Sequence, residues 1–126
     1  MKGIDTNVLV RLLVADDPAQ AERARAYVTE HAPCWINRVV LCETVWVLER
    51  LYGHSRSRIG GALRQILDTR QFEIEDADAV QVGISAVEEG HDFADVVIAA
   101  TNQAYGCEAT ATFDRRASRL EGFEAL

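Results

Sequence analysis

The sequence predicts an α/β fold with a mainly parallel sheet covered by helices on both faces. Short apolar or β-branched segments alternate with longer segments of helical spacing along the whole chain. Capping residues and glycines separate most of these segments. Because parallel strands need a crossover connection, strands separated by helices indicate right-handed βαβ units. The length of 126 residues predicts a single domain, residues 1–126, with one core.

The elements follow from local signals in chain order. We expect strands at 2–5, 33–36, 71–74, 109–113 and 122–124, and helices at 7–14, 18–30, 37–52, 55–69, 76–90 and 92–105. The first helix has apolar residues at helical spacing. Asp17 as N-cap and Pro18 at the first helical position begin the second. Asn37 or Arg38 starts the third helix, and Gly53 ends it.

The second half of the chain is interpreted in the same way. Ser55 and Asp76 are expected N-caps, and Gly106 closes the helix that Asp92 or its neighbour opens. Gly60-Gly61 weakens the helix that contains it, which favours a kink or break there. In the stretch 109–113 every second residue is β-branched, which predicts a strand.

Composition limits the classes of protein to consider. The chain is 48% hydrophobic and 26% charged, which is typical of a globular protein. No apolar stretch approaches the roughly 20 residues that span a bilayer, so a cytoplasmic location is expected. Three cysteines without CxxC spacing are expected to be buried, reduced thiols: Cys34, Cys42 and Cys107. The net charge of −7 argues against binding a polyanion, except where divalent cations make an acidic site positive.

Four carboxylates stand near predicted strand ends or helix starts: Asp5, Glu43, Asp95 and Asp114. In an open parallel sheet such positions converge at the carboxyl edge, where ligands bind. Each of the three aspartates has a structural alternative as a helix cap. Asp92 lies three residues before Asp95 and competes with it for that role, which leaves Asp95 available for another.

Glu43 differs from the other three because its neighbours in the sequence are apolar. A carboxylate buried there needs an ion pair, a proton or a cation, and Arg38 or Arg50 could supply the ion pair. Mg²⁺ and Mn²⁺ prefer oxygen ligands, and Mg²⁺ keeps several waters, so a few carboxylates suffice. Two such ions about 3.5 to 4 Å apart activate a water and stabilise the leaving oxygen of a phosphodiester. The pattern therefore predicts hydrolysis of a nucleic acid.

Four segments resemble the motifs of PIN-domain ribonucleases and, within that family, of the VapC-type toxins of toxin–antitoxin pairs. The stretch IDTNVLV at residues 4–10 resembles the first motif, and Glu43 occupies the place of the helix glutamate. The stretch DFADVVIAA at 92–100 resembles the third motif, and TFD at 112–114 resembles the last. The resemblance covers essentially the whole chain.

This resemblance implies a three-layer α/β/α domain with a parallel sheet of about five short strands. It implies endonucleolytic cleavage of RNA with Mg²⁺ or Mn²⁺ as cofactor. It assigns metal ligation and catalysis to Asp5, Glu43, Asp95 and Asp114, with Thr6, Asn7 and Thr112 as supporting residues. A small cognate antitoxin, whose tail covers the acidic groove with a basic side chain, and a homodimer are the implied partners besides RNA.

Other functions were weighed against specific residues. An aspartyl-nucleophile phosphatase typically has a second aspartate two positions after the first, where this chain has Asn7. A receiver domain and a Walker-type phosphate loop both need a lysine, and none follows Lys2. A PIN domain that binds RNA or protein without cutting is the main alternative. A DNA-directed nuclease and a ribosome-maturation enzyme are further options within the fold.

Several other side chains have structural interpretations. Trp35 and Trp46 have apolar neighbours and are expected in the core. His91 is expected to be a solvated loop residue beside the acids. The most basic segment is expected to be a solvated face, with contact to RNA or a partner as the alternative: Arg56, Arg58, Arg64 and Arg70.

Overall fold

The computed structural model describes residues 1–126 and contains six α-helices, one short 3-10 helix and four short strands. The helices are α1 (Thr6–Leu13), α2 (Pro18–His31), α3 (Arg38–Arg50), α4 (Arg56–Asp68), α5 (Ala77–Glu88) and α6 (Phe93–Ala104). The strands are β1 (Cys34–Ile36), β2 (Phe72–Ile74), β3 (Thr110–Thr112) and β4 (Phe123–Ala125), with the 3-10 helix at Ala117–Arg119. The predicted α/β class, with short parallel strands between helices, is confirmed.

The strands form two separate parallel pairs. β1 pairs with β2, with Cys34 opposite Phe72, and β3 pairs with β4, with Thr110 opposite Phe123. The expected single sheet of about five strands is therefore wrong in both number and continuity.

The expected strand at 2–5 is reduced to one parallel bridge between Gly3 and Trp35. The Ile4 N–H donates to the Trp35 carbonyl at 3.1 Å, and the Trp35 N–H donates to the Lys2 carbonyl at 2.8 Å. The N-terminal segment stops pairing with β1 directly after Ile4, because Asp5 already caps α1. The short pairing segment thus brings Asp5 to the end of β1.

Side-chain caps begin the helices where the sequence predicted them. An oxygen of the N-cap side chain accepts a hydrogen bond from a backbone N–H two or three residues ahead at Asp17, Asn37, Ser55, Asp76 and Asp92. These caps satisfy N–H groups that have no partner within the helix. The helices end within about two residues of the predicted positions.

The core is formed by side chains from every helix and from β1, and the prediction that Trp46 belongs to it is wrong. The largest fully buried side chains include Phe93, Leu9, Ile36 and Leu41. Trp46 on α3 is 54% exposed, although its apolar neighbours had suggested a core position. α6 packs against α3 and α5 and leaves its opposite face partly open, so Ile98 is 46% exposed.

Two glycines let α5 approach its neighbours closely. α4 continues through Gly60-Gly61, so the expected break is absent. A β-carbon on Gly60 would lie 3.1 Å from Oε1 of Glu88 on α5. A β-carbon on Gly83 would lie 2.7 Å from ring carbon Cε2 of Phe93. Because Phe93 is the first residue of α6, its contact with α5 determines where α6 begins.

All three cysteines are free thiols, but only Cys34 is buried. Cys42 is partly exposed and Cys107 is exposed, so the expectation of buried thiols holds for Cys34 alone.

None of the helices has both the length and the apolar character that crossing a lipid bilayer requires.

Candidate functional site

Asp5 occupies the turn between the first backbone bridge and α1. Its Oδ1 accepts a hydrogen bond from the Val8 N–H at 3.3 Å, so the capping role weighed from the sequence is present. The side chain is exposed, and Oδ2 is available to a ligand. Capping and metal ligation therefore do not exclude each other at Asp5, since each can use a different oxygen.

Glu43 projects from the solvent-facing side of α3. The Thr6 hydroxyl donates to its Oε1 at 3.3 Å, which joins the first motif to α3. The expectation that apolar neighbours bury Glu43 is wrong, because its side chain and that of Val39 are both exposed. Arg38 is not its partner, since that guanidinium pairs with Glu75 at 3.0 Å. The carboxylate of Glu43 thus has a hydroxyl partner and no ion pair.

Asp95 lies in surroundings that raise the pKa of its carboxyl. It lies half-buried in the first turn of α6, while Asp92 caps the helix through the Ala94 N–H at 3.1 Å. Burial raises the pKa of the Asp95 carboxyl, and the negative charges of Asp92 and Asp114 raise it further. His91 acts in the opposite direction. The structure therefore places Asp95 within electrostatic reach of two other carboxylates.

Asp114 follows β3 and caps the turn that leads to the 3-10 helix. Its Oδ1 accepts from the Arg116 N–H at 2.8 Å and the Ala117 N–H at 3.2 Å. Thr112 supports this turn in an unexpected way, because its hydroxyl accepts from the backbone N–H of Asp114 at 3.0 Å. The predicted position at a strand end is confirmed.

A groove of about 420 Å³ connects Glu43 with the start of α6. Trp46 and Arg56 line it together with His91 and Asp92. The Arg56 guanidinium donates to the His91 carbonyl at 3.0 Å, which anchors the loop before α6. Arg56 is therefore a positioning group at the groove rather than part of a wholly solvated face.

The four predicted acids are linked through neighbours rather than gathered into one closed ligand set. Thr6 joins the Asp5 turn to Glu43, the groove joins Glu43 to Asp92, and electrostatic contact joins Asp92, Asp95 and Asp114. No three Asp, Glu, His or Cys side chains are close enough to hold a metal ion as they stand. Asn7 does not face Glu43, since it lines a second groove on the other side of Asp5.

The chemistry of these side chains fits a hard divalent cation. All four candidate ligands are carboxylates, which Mg²⁺ and Mn²⁺ prefer, and Mg²⁺ needs few protein ligands. A cation beside Asp95 would relieve the repulsion from Asp92 and Asp114. From the sequence, Asp92 was expected to cap α6 as part of the third motif, and His91 was expected to be a solvated loop residue. Their closeness to Asp95 in the sequence is the signal that could have pointed to both.

Comparison with known proteins gave one family. The model of the PIN domain family matches residues 3–122, which is nearly the whole chain. No curated protein and no solved structure matches it. The matched range includes all four candidate acids and the groove between Glu43 and the start of α6.

Proposed function

The chain belongs to the PIN domain family, and on that premise we propose that residues 1–126 form a single metal-dependent endoribonuclease domain. PIN domains are typically nucleases that use divalent metal ions. The observation that carries the proposal is the position of Asp95 in the first turn of α6, where burial and the charges of Asp92 and Asp114 disfavour its ionised form. Carboxylates perturbed in this way are concentrated at functional sites.

The residues proposed to hold Mg²⁺ or Mn²⁺ are Asp5, Glu43, Asp95 and Asp114. When bound, the metal would activate a water and stabilise the leaving oxygen of an RNA phosphodiester. Thr6 restrains the carboxylate of Glu43, and Thr112 holds the turn that carries Asp114. The N-terminal dipole of α6 favours the ionised form of Asp95, which is the form a metal requires.

We further propose the finer assignment to VapC-type toxins, with a small antitoxin as the cognate partner. The groove between α3 and the start of α6 supports it, because Glu43, Glu49 and Asp92 line it together with the exposed Trp46. A partner segment with a basic and an apolar side chain would complement this lining. We also propose that the protein acts in the cytoplasm as a homodimer, which the resemblance of its motifs to those of the toxins implies.

The alternative is a PIN domain that binds RNA or protein without cutting. The observation that favours it is the lack of any three metal-ligating side chains at ligation distance. Cleavage requires the carboxylates to approach one another when the cation binds, whereas a binding module does not.

The test is cleavage of total RNA by purified, partner-free protein with Mg²⁺ or Mn²⁺, and with EDTA as the metal-free control. Asp95→Asn keeps the side-chain shape and removes the charge. Asp78→Asn is the matched control, because Asp78 is an exposed acid in the first turn of α5. Discrete fragments that EDTA and Asp95→Asn abolish, and Asp78→Asn leaves intact, establish the nuclease. A folded wild type that cuts no RNA with either metal favours the binding module.

A further inference from the structure

A second and larger groove, of about 690 Å³, lies between α1 and α2 on the other side of Asp5. Its polar lining comes from both helices: Asp5, Asn7 and Arg11 on the first side, and Gln20, Arg23 and Tyr27 on the second. Its volume is in the range of ordinary small-ligand sites. Because Asp5 is at one end, whatever occupies this groove is adjacent to the proposed metal site.

The two arginines of this groove differ in their availability. The guanidinium of Arg11 donates to Gln20 at 2.6 Å and to Asp16 at 3.1 Å, so its charge is largely compensated. Arg23 is exposed and makes no hydrogen bond or ion pair within the chain. In a protein of net charge −7, Arg23 therefore gives this groove a positive charge that has no ion-pair partner.

Tyr27 lies one helical turn after Arg23 on the same face of α2. Its side chain is 38% exposed. The ring packs against His31 with a centroid distance of 4.4 Å and an interplanar angle of 51°, which restrains it. A restrained aromatic ring beside a free guanidinium is the combination that binds single-stranded nucleic acid, through base stacking and phosphate contact.

We propose that the α1–α2 groove holds the nucleotide next to the scissile phosphate of a single-stranded RNA. Arg23 contacts a backbone phosphate, Tyr27 stacks on the adjacent base, and Asn7 offers its unpaired amide to a base edge or ribose. This assignment rests on the proposed function, since it takes Asp5 as part of the cleavage site. Single-stranded RNA is favoured over duplex because only an unpaired base exposes its face to Tyr27.

The test is the affinity of the protein for a short fluorescent single-stranded RNA, measured by anisotropy with EDTA and separately with Ca²⁺. The informative variants are Arg23→Gln and Tyr27→Leu. Arg25→Gln is the matched control, because Arg25 is on the same helix, pairs with Glu22 and does not line the groove. Thermal melting of each variant checks that α2 remains folded.

We expect Arg23→Gln to weaken binding and to reduce the slope of log K against log salt by about 0.7, the share of one phosphate contact. Tyr27→Leu should weaken binding about five-fold or more, as expected for the loss of one stacked base. Arg25→Gln should match the wild type. Duplex RNA of the same length should bind more weakly than the single strand.

The assignment would be overturned if Arg23→Gln and Arg25→Gln bound RNA with the same affinity and the same salt slope. Tighter binding of duplex RNA, or no saturable binding by the wild type, would also overturn it. The RNA cleavage assay separates this outcome from failure of the proposed function. Cleavage that persists while Arg23→Gln binds like the wild type refutes the groove alone. Groove-dependent binding without any cleavage refutes the nuclease and retains the groove as an RNA site.

Discussion

Replacing Gly83 with alanine tests the packing that sets the start of α6. The added β-carbon would lie 2.7 and 2.8 Å from two ring carbons of Phe93, whereas optimal carbon contacts are about 3.5 to 4.0 Å. Phe93 is 1% exposed, so its ring cannot move into solvent. Overpacking of this kind costs about 1 to 3 kcal/mol of unfolding free energy. Relief of the helical glycine penalty returns about 1 kcal/mol.

Gly61→Ala is the matched control for this change. Gly61 also lies inside a helix, but a β-carbon there meets nothing within 4 Å. It should raise the unfolding free energy by about 0.5 to 1 kcal/mol. The gain in helix propensity is common to both variants, so the difference between them isolates the clash at about 1 to 3 kcal/mol.

The assay is urea unfolding of both variants and the wild type, followed by circular dichroism. We expect Gly83→Ala to be less stable than Gly61→Ala by about 1 to 3 kcal/mol of unfolding free energy. If Gly83→Ala is as stable as Gly61→Ala, Phe93 does not pack on Gly83 as described. The account of how α5 positions the first turn of α6 would then be wrong.

Three further predictions concern titratable groups. The folded protein raises the pKa of Asp95 above its ordinary 3.8. Metal-free protein should therefore lose stability as the pH rises through that raised pKa. In EDTA at pH 7, Asp95→Asn should accordingly have a higher melting temperature than the wild type. An equal melting temperature would contradict the repulsion. The hydrogen-bonded Arg38 lowers the pKa of Glu75 below its ordinary 4.5. The stability that this pair contributes is therefore present above pH 4.5 and is lost on acidification. Glu75→Gln should flatten the acid limb of a curve of stability against pH. Burial raises the pKa of the Cys42 thiol to about 11. At pH 8 an aromatic disulfide reagent should therefore label exposed Cys107 quickly and Cys42 slowly. A fast labelling phase that survives Cys107→Ser would refute this prediction.

The parts of the fold that depend on local signals were predictable from the sequence. Asp17, Ser55, Asp76 and Asp92 all cap the helices they were expected to cap, because capping involves only residues two or three positions apart. The parallel pairing of short strands followed from their alternation with helices. The number of strands did not, because pairing depends on which segments meet in space.

Burial was the least predictable property. Glu43 and Trp46 have apolar neighbours along the chain, yet both face solvent on α3. The expected break at Gly60-Gly61 is likewise absent, and the Glu88 side chain of α5 lies close to Gly60. A sequence pattern shows that a residue can be buried or strained, but the neighbouring element decides whether it is.

The sequence by itself determined the helix boundaries, the α/β class and the acids worth examining, since residue type and short-range spacing control each of these. Only the tertiary structure decided how the distant acids are related: the Thr6 hydroxyl donates to Glu43, and Asp114 raises the pKa of Asp95 across 19 residues of chain. It also created the groove that brings Arg23 and Tyr27 of α2 beside Asp5. The physical reason is that electrostatic interaction and packing depend on distance in space, which only the packing of distant segments establishes.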